Sequence, residues 1–135
     1  MSEQINNLFS HQFETINQLC NVYYDNQGTK FEKDRIYKEV KKQIESLGTE
    51  KSEQLEEIIN TYKDNLLSQF RKDFPTLSKD YQLFATYQFA GFSARAISLF
   101  TNDKVENIYN KKSRLKNKIA NSTSPYKEEY LRLFA

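Results

Sequence analysis

The sequence predicts an all-α fold, and three observations carry that prediction. Apolar residues recur at threes and fours along almost the whole chain, the spacing that places them on one helix face. Only 3 glycines and 2 prolines punctuate 135 residues, too few for a turn-rich sheet protein. The aromatic residues, 9 Tyr and 10 Phe, give bulk to a core even though charged residues make up 28% of the chain.

Taken in order, Ile5, Leu8, Phe9, Phe13, Ile16, Leu19, Tyr23 and Tyr24 define a first amphipathic helix. It is expected to stop near Asn26-Gln27-Gly28, where Gly28 is suited to a left-handed cap. A second helix turns Phe31, Ile36, Tyr37, Val40, Ile44 and Leu47 inward and stops at Gly48. Thr49 or Ser52 caps a third, whose Leu55, Ile58, Ile59, Tyr62, Leu66, Phe70 and Phe74 share a face as far as Pro75. The residue before a proline disfavours helical backbone, so the third helix ends there.

Ser78 opens a fourth helix over Lys79 to Ala90, apolar nearly all round and therefore expected in the middle of a bundle. Gly91 closes it, and Ser93 caps a fifth bearing Ala94, Ala96, Ile97 and Phe100. After a turn at Asn102-Asp103 the sixth runs from Lys104 to Ala120, with Val105, Ile108, Leu115 and Ile119 inward. Asp103 is expected to cap it, with Glu106 reaching back in the manner of a capping box. Ser124 caps a last short helix with Pro125 at its first position and Tyr126, Tyr130, Leu131, Leu133 and Phe134 as its apolar side. The chain divides into a helical packing or dimerisation region over 1–75 and a smaller helical domain over 76–135, without a flexible linker between them.

Net charge is +2 overall, and its distribution is uneven. From Lys104 to Ala120 six cations face Glu106 alone, a net of +5, which leaves −3 for the rest of the chain. One basic element on a mildly acidic body points to a directed contact with a polyanion. The single Cys20 rules out a disulfide framework and suits a reducing, cytoplasmic setting. Met1 to Asn7 is polar and does not read as a secretory leader. The weakly charged window Tyr81 to Phe100 is interrupted by Gln82, Gln88, Ser93 and Arg95 and broken by Gly91, so it is expected to be core and not a membrane span.

Catalysis has little to work with. His11 and Cys20 are the only residues of their kinds, nine positions apart and off one another's face of the first helix, which suits neither a nucleophile pair nor a zinc site. Three isolated glycines make no phosphate loop. No enzymatic activity, cofactor or metal is expected.

The basic helix, by contrast, has an apolar back and an outward face of amides and cations. Asparagine can bond adenine bidentately and arginine can do so with guanine, whereas lysines mostly neutralise phosphates. Asn107, Asn110, Lys111 and Arg114 are therefore assigned to base edges, and Lys104, Lys112, Lys116 and Lys118 to DNA phosphates. Tyr109 is expected to pack against the fourth helix, with a phosphate contact as the alternative.

Gly91-Phe92-Ser93, Ile97-Ser98, Asn107-Ile108, Leu115 and Lys118-Ile119 resemble, at matching offsets, the helix-turn-helix domain of LuxR-type regulators. The likeness covers Ser78 to Ile119. The stretches GFSARAISLF, IYNKKSRLKNKI and SPYKEEYLRLF are similar to the carboxyl-terminal regions of Bacteroidetes transcriptional regulators that carry tetratricopeptide repeats and a membrane span. The family's Glu before Ile-Ala is Ala96 here, and its Thr before Val is Asn107. The resemblance implies a transcription factor with double-stranded DNA as partner and Lys104 to Ala120 as recognition helix in the major groove. It also implies a homodimer, since many such domains bind paired half-sites. The chain lacks the signalling parts of the longer regulators, so it is either a piece of a membrane-anchored regulator or takes its signal through the amino-terminal helices. A rival expectation is a helical protein–protein module whose basic helix docks on an acidic partner.

Overall fold

A computed structural model describes residues 2–25, 28–46 and 52–134. Among them the chain forms eight helices and no strand, as the apolar periodicity predicts. They are α1 Ser2–Asp25, α2 Lys30–Ser46, α3 Ser52–Tyr62, α4 Leu66–Asp73, α5 Lys79–Ala90, α6 Ala94–Thr101, α7 Val105–Ala120 and α8 Lys127–Leu133. The expected stop at Asn26-Gln27, on which the Gly28 cap depends, lies outside the described residues, as do Leu47, Gly48 and Thr49. The side chains of Ile5, Leu8, Phe9, Ser52 and Tyr62 lie outside them too.

The helix ends follow the local chemistry. Thr29 Oγ1 accepts from the Glu32 N–H at 3.3 Å and so caps α2, a signal the apolar pattern does not carry. Ser78 and Ser93 each accept from the backbone N–H three residues on, Tyr81 at 3.3 Å and Ala96 at 3.1 Å. Gly91 closes α5 at φ 95°, a left-handed position, with its own N–H on Gln88 O and the Phe92 N–H on Tyr87 O.

The expected continuous third helix is two helices. Asp64 and Asn65 both take left-handed backbone, φ 53° and 60°, and the Asn65 N–H reaches back to Asn60 O at 2.9 Å. The Asn60 side chain then caps α4 by accepting from the Ser68 N–H at 3.0 Å. Asp and Asn tolerate this conformation where branched residues do not, so the break falls on the one Asp-Asn pair in the run. The last helix also starts later than expected. Ser124 Oγ accepts from the Tyr126 N–H at 3.1 Å, which winds Pro125 into a turn and puts Tyr126 at the cap position of α8.

One hydrophobic cluster runs through helices from both sides of Pro75. α1 lies against α6, where Asn17 bridges the α5–α6 turn by donating to Gly91 O at 3.0 Å and accepting from the Ser93 N–H at 2.8 Å. Phe13 stacks on Phe92 with ring centroids 4.8 Å apart. The hydroxyls of Tyr24 and Ser98 are hydrogen-bonded, and Arg95 pairs with Asp25 at 2.8 Å. Arg71 ties α4 to both neighbours, reaching Glu56 of α3 at 3.1 Å and Thr86 of α5 at 3.1 Å. Phe31, expected inward, is 78% exposed, since it sits on the first turn of α2, and Val22 nearby in sequence on α1 is 52% exposed.

The carboxyl-terminal helix is pinned by a part-buried polar contact. Asp73 accepts from Ser124 Oγ and from Tyr130 Oη, both at 2.6 Å, and from Gln69 Nε2 at 3.0 Å. Partial burial pulls this carboxyl up, but the three hydrogen bonds outweigh it and hold it below its usual value. Burial, then the Asp73 carboxylate, pushes the Tyr130 phenol up. Because the folded Asp73 pKa is depressed, its stabilisation is full above the unfolded carboxylate pKa of about 3.9 and is lost as pH falls through the lower folded value. Asp73→Asn is expected to lower the urea midpoint at pH 7, by a penalty that is smaller at pH 3, below the unfolded value. A penalty of equal size at both pH values would assign the loss to packing instead of charge.

Candidate nucleic-acid interface

α7 is fixed by its back. Ile108, Leu115 and Ile119 are buried, and the helix packs on α6 and α8. α6 ends at Asn102 in left-handed backbone, φ 55°, and the Asp103 N–H bonds Ser98 O at 3.0 Å. The turn between the two helices is thus Asn102 to Lys104, with α7 starting at Val105. The expected cap is corrected here: Lys104 occupies the cap position and makes no side-chain cap bond. Asp103 instead accepts from the Lys104 N–H at 2.8 Å and from the Asn107 amide at 2.8 Å, and it pairs with Lys111 at 3.6 Å. Glu106 is exposed in the first turn, where its charge suits the positive end of the helix dipole.

At 100° per residue, Asn107, Lys111, Arg114 and Lys118 follow the i, i+4, i+7, i+11 register of a single flank of the helix. Asn107, Arg114 and Lys118 on it are exposed, and Lys111 is half-buried beside Asp103. Arg114 and Lys118 border a cleft of about 330 Å³ formed with Leu77, Ser78 and Tyr81 at the amino end of α5. Asn110 is exposed at the outermost part of the helix, and so is Asn117, one seven-residue step further on. That step is the signal that adds Asn117 to the front.

Lys112 and Lys116 lie on the opposite flank of the same wheel. Lys116 is exposed, and Lys112 borders a second cleft of about 360 Å³ together with Lys63 and Arg132. Lys104 is exposed at the start of the helix. Tyr109, expected to pack against α5, is 54% exposed, because its place on the wheel is about 100° from the buried seam.

The residues assigned to base edges therefore fall on the front and one flank, while the lysines assigned to phosphates occupy the helix start and both flanks. Among the described residues no three His, Cys, Asp or Glu side chains converge as a metal site would require. Cys20 is fully buried, and that burial pushes its thiol up to about 12, far from a reactive thiolate. No described helix is long and apolar enough to cross a membrane. No protein-family model matches the chain, and neither a curated protein nor a solved structure shows significant similarity to it.

Proposed function

We propose that the chain is a sequence-specific DNA-binding transcriptional regulator that acts in the cytoplasm, with α7 as the helix that enters the major groove. The observation that carries this reading is a single helix whose back is anchored in the core and whose front carries exposed amides and cations. Its residues, from Lys104 to Ala120, bear a net +5 on a chain otherwise at −3. A short helix and a three-residue turn, Asn102 to Lys104, precede it, the arrangement that sets a recognition helix against a duplex. The resemblance of Ser78 to Ile119 to LuxR-type domains supports the same reading. Phosphate contacts come from Lys104, Lys112, Lys116 and Lys118, and base contacts from Asn107, Asn110, Lys111 and Arg114. Pairing of two chains is assigned to the amino-terminal helices, where Val22 and Phe31 offer exposed apolar surface. The proposal is of a binding protein and not of an enzyme.

Four phosphate-contacting lysines, each releasing counterions worth about 0.9 in slope, predict that log affinity falls with log salt at about −3.6 per chain. A duplex titration at several salt concentrations measures this, and Lys116→Ala is expected to flatten the slope by about 0.9 without changing sequence preference. A chain that ignores duplex DNA at every salt concentration yet binds an acidic protein would be the interaction module instead.

A further inference from the structure

We propose that Asp103 is a positioning residue that locks the Asn107 amide and thereby gives α7 an adenine preference at one base pair; this rests on the DNA-binding reading above. A carboxylate can only accept hydrogen bonds, so the 2.8 Å contact between Asp103 Oδ1 and Asn107 must use the amide nitrogen. That orients the whole amide. Asn107 Oδ1 points away from Asp103, and one amide hydrogen stays free, which together are an acceptor and a donor in a fixed order. Adenine offers the matching pair in the major groove, an N6 amino donor beside an N7 acceptor, whereas guanine offers two acceptors.

Asp103 is itself held on three sides. The Lys104 N–H donates to Oδ1 at 2.8 Å, Lys111 Nζ stands 3.6 Å from Oδ2, and the left-handed Asn102 fixes the backbone that carries it. The Asn107 amide, first, and then the Lys104 N–H hold this carboxyl below its usual value. Asn107 lies in the first turn of α7, the part of a recognition helix that reaches base edges. Freed of Asp103, the amide could turn over about its terminal torsion, where both orientations are accessible, and the order of donor and acceptor would be lost. Asp103 neutralises part of Lys111 and puts an anion close to the phosphates, so it lowers general affinity for DNA while it sharpens choice.

The test is a set of titrations of the intact chain and its Asp103→Ala, Asp103→Asn and Asn107→Ala variants. The probes are the best duplex recovered from a random pool and its single-base substitutions. Asp103→Ala is expected to cut the adenine-over-guanine ratio at one position by about five- to 150-fold, the range one bidentate base contact provides. Its affinity for random duplex should be unchanged or higher. Asp103→Asn, which can still accept from Asn107 through its own Oδ1, should restore part of the ratio. Adding Asp103→Ala to Asn107→Ala should change the ratio no further. If the parent selects a sequence and Asp103→Ala keeps the same ratio at every position, the positioning role is overturned while DNA binding stands. If the parent selects no sequence at all, both fall together. Unchanged helicity in the far ultraviolet guards against simple misfolding of the variants.

Discussion

Phe70→Ala is expected to destabilise the protein by about 3–5 kcal/mol, the range for deleting a buried aromatic side chain. Phe70 is 1% exposed on α4, and three other rings close around it. Its centroid lies 4.9 Å from that of Phe74, 5.1 Å from Phe89 and 5.2 Å from Tyr130, the last edge-on. These partners come from α4's own end, from α5 and from α8, so one side chain joins α4 to the helix that follows it and to the distant carboxyl-terminal helix. Tilted and edge-on pairs at such distances add to the burial energy. A small domain has only about 5–15 kcal/mol in total, so the loss should be evident as a large fall in the urea midpoint at unchanged slope. A midpoint close to the parent's would mean that the four rings do not form one packed unit.

Arg114→Ala is expected to weaken binding to the preferred duplex by about 1–3 kcal/mol and to relax preference at one base pair. Arg114 is exposed, its flank holds Asn107 and Lys118, and it makes no ion pair with a neighbouring carboxylate among the described residues. Its guanidinium is thus free to fork onto a guanine edge. Because it stands outside the core, the same substitution should leave the urea midpoint within about 0.5 kcal/mol of the parent. Titration of the variant against the preferred duplex and its single-base substitutions separates the two properties. Tight binding to every duplex, as strong as the parent's, would remove Arg114 from the groove.

The contrast between these two residues shows where sequence reasoning has purchase on this chain. The helices announce themselves through apolar spacing, and the serines at positions 78 and 93 and the glycine at 91 punctuate them where backbone chemistry demands it. The back of α7 follows from the same periodicity, since Ile108, Leu115 and Ile119 can face only one way. Periodicity says nothing, however, about a break that keeps the pattern in register. Leu66 and Phe70 continue the apolar face of α3 across Asp64 and Asn65, so α4 looks like a prolongation until its left-handed residues are seen. Phe31 shows a related blindness. An aromatic residue at helical spacing reads as core, but at the first turn of α2 none of the described residues covers it.

The candidate interface was readable in type and not in wiring. The bias of Lys104 to Ala120 toward one sign is a property of composition alone. The role of Asp103 depends on how the turn aims its carboxylate, and the capping box that Asp103 and Glu106 suggest is replaced by a network with Asn107 and Lys111. Asp103 stands in the turn ahead of α7, four positions before Asn107 and eight before Lys111, so the turn and not helical spacing alone brings the three side chains together. The long-range contacts, Asn17 on the α5–α6 turn and Asp73 on Tyr130, leave no trace in local pattern because their partners are 74 and 57 residues away.

Selection of bound duplexes from a random pool, by the parent and by a variant with Asn107, Asn110 and Arg114 all changed to alanine, decides whether α7 reads DNA sequence. One enriched motif is expected for the parent and, for the variant, salt-sensitive binding with no enrichment. A parent that returns the pool unenriched, or a variant that recovers the same motif, would contradict that reading.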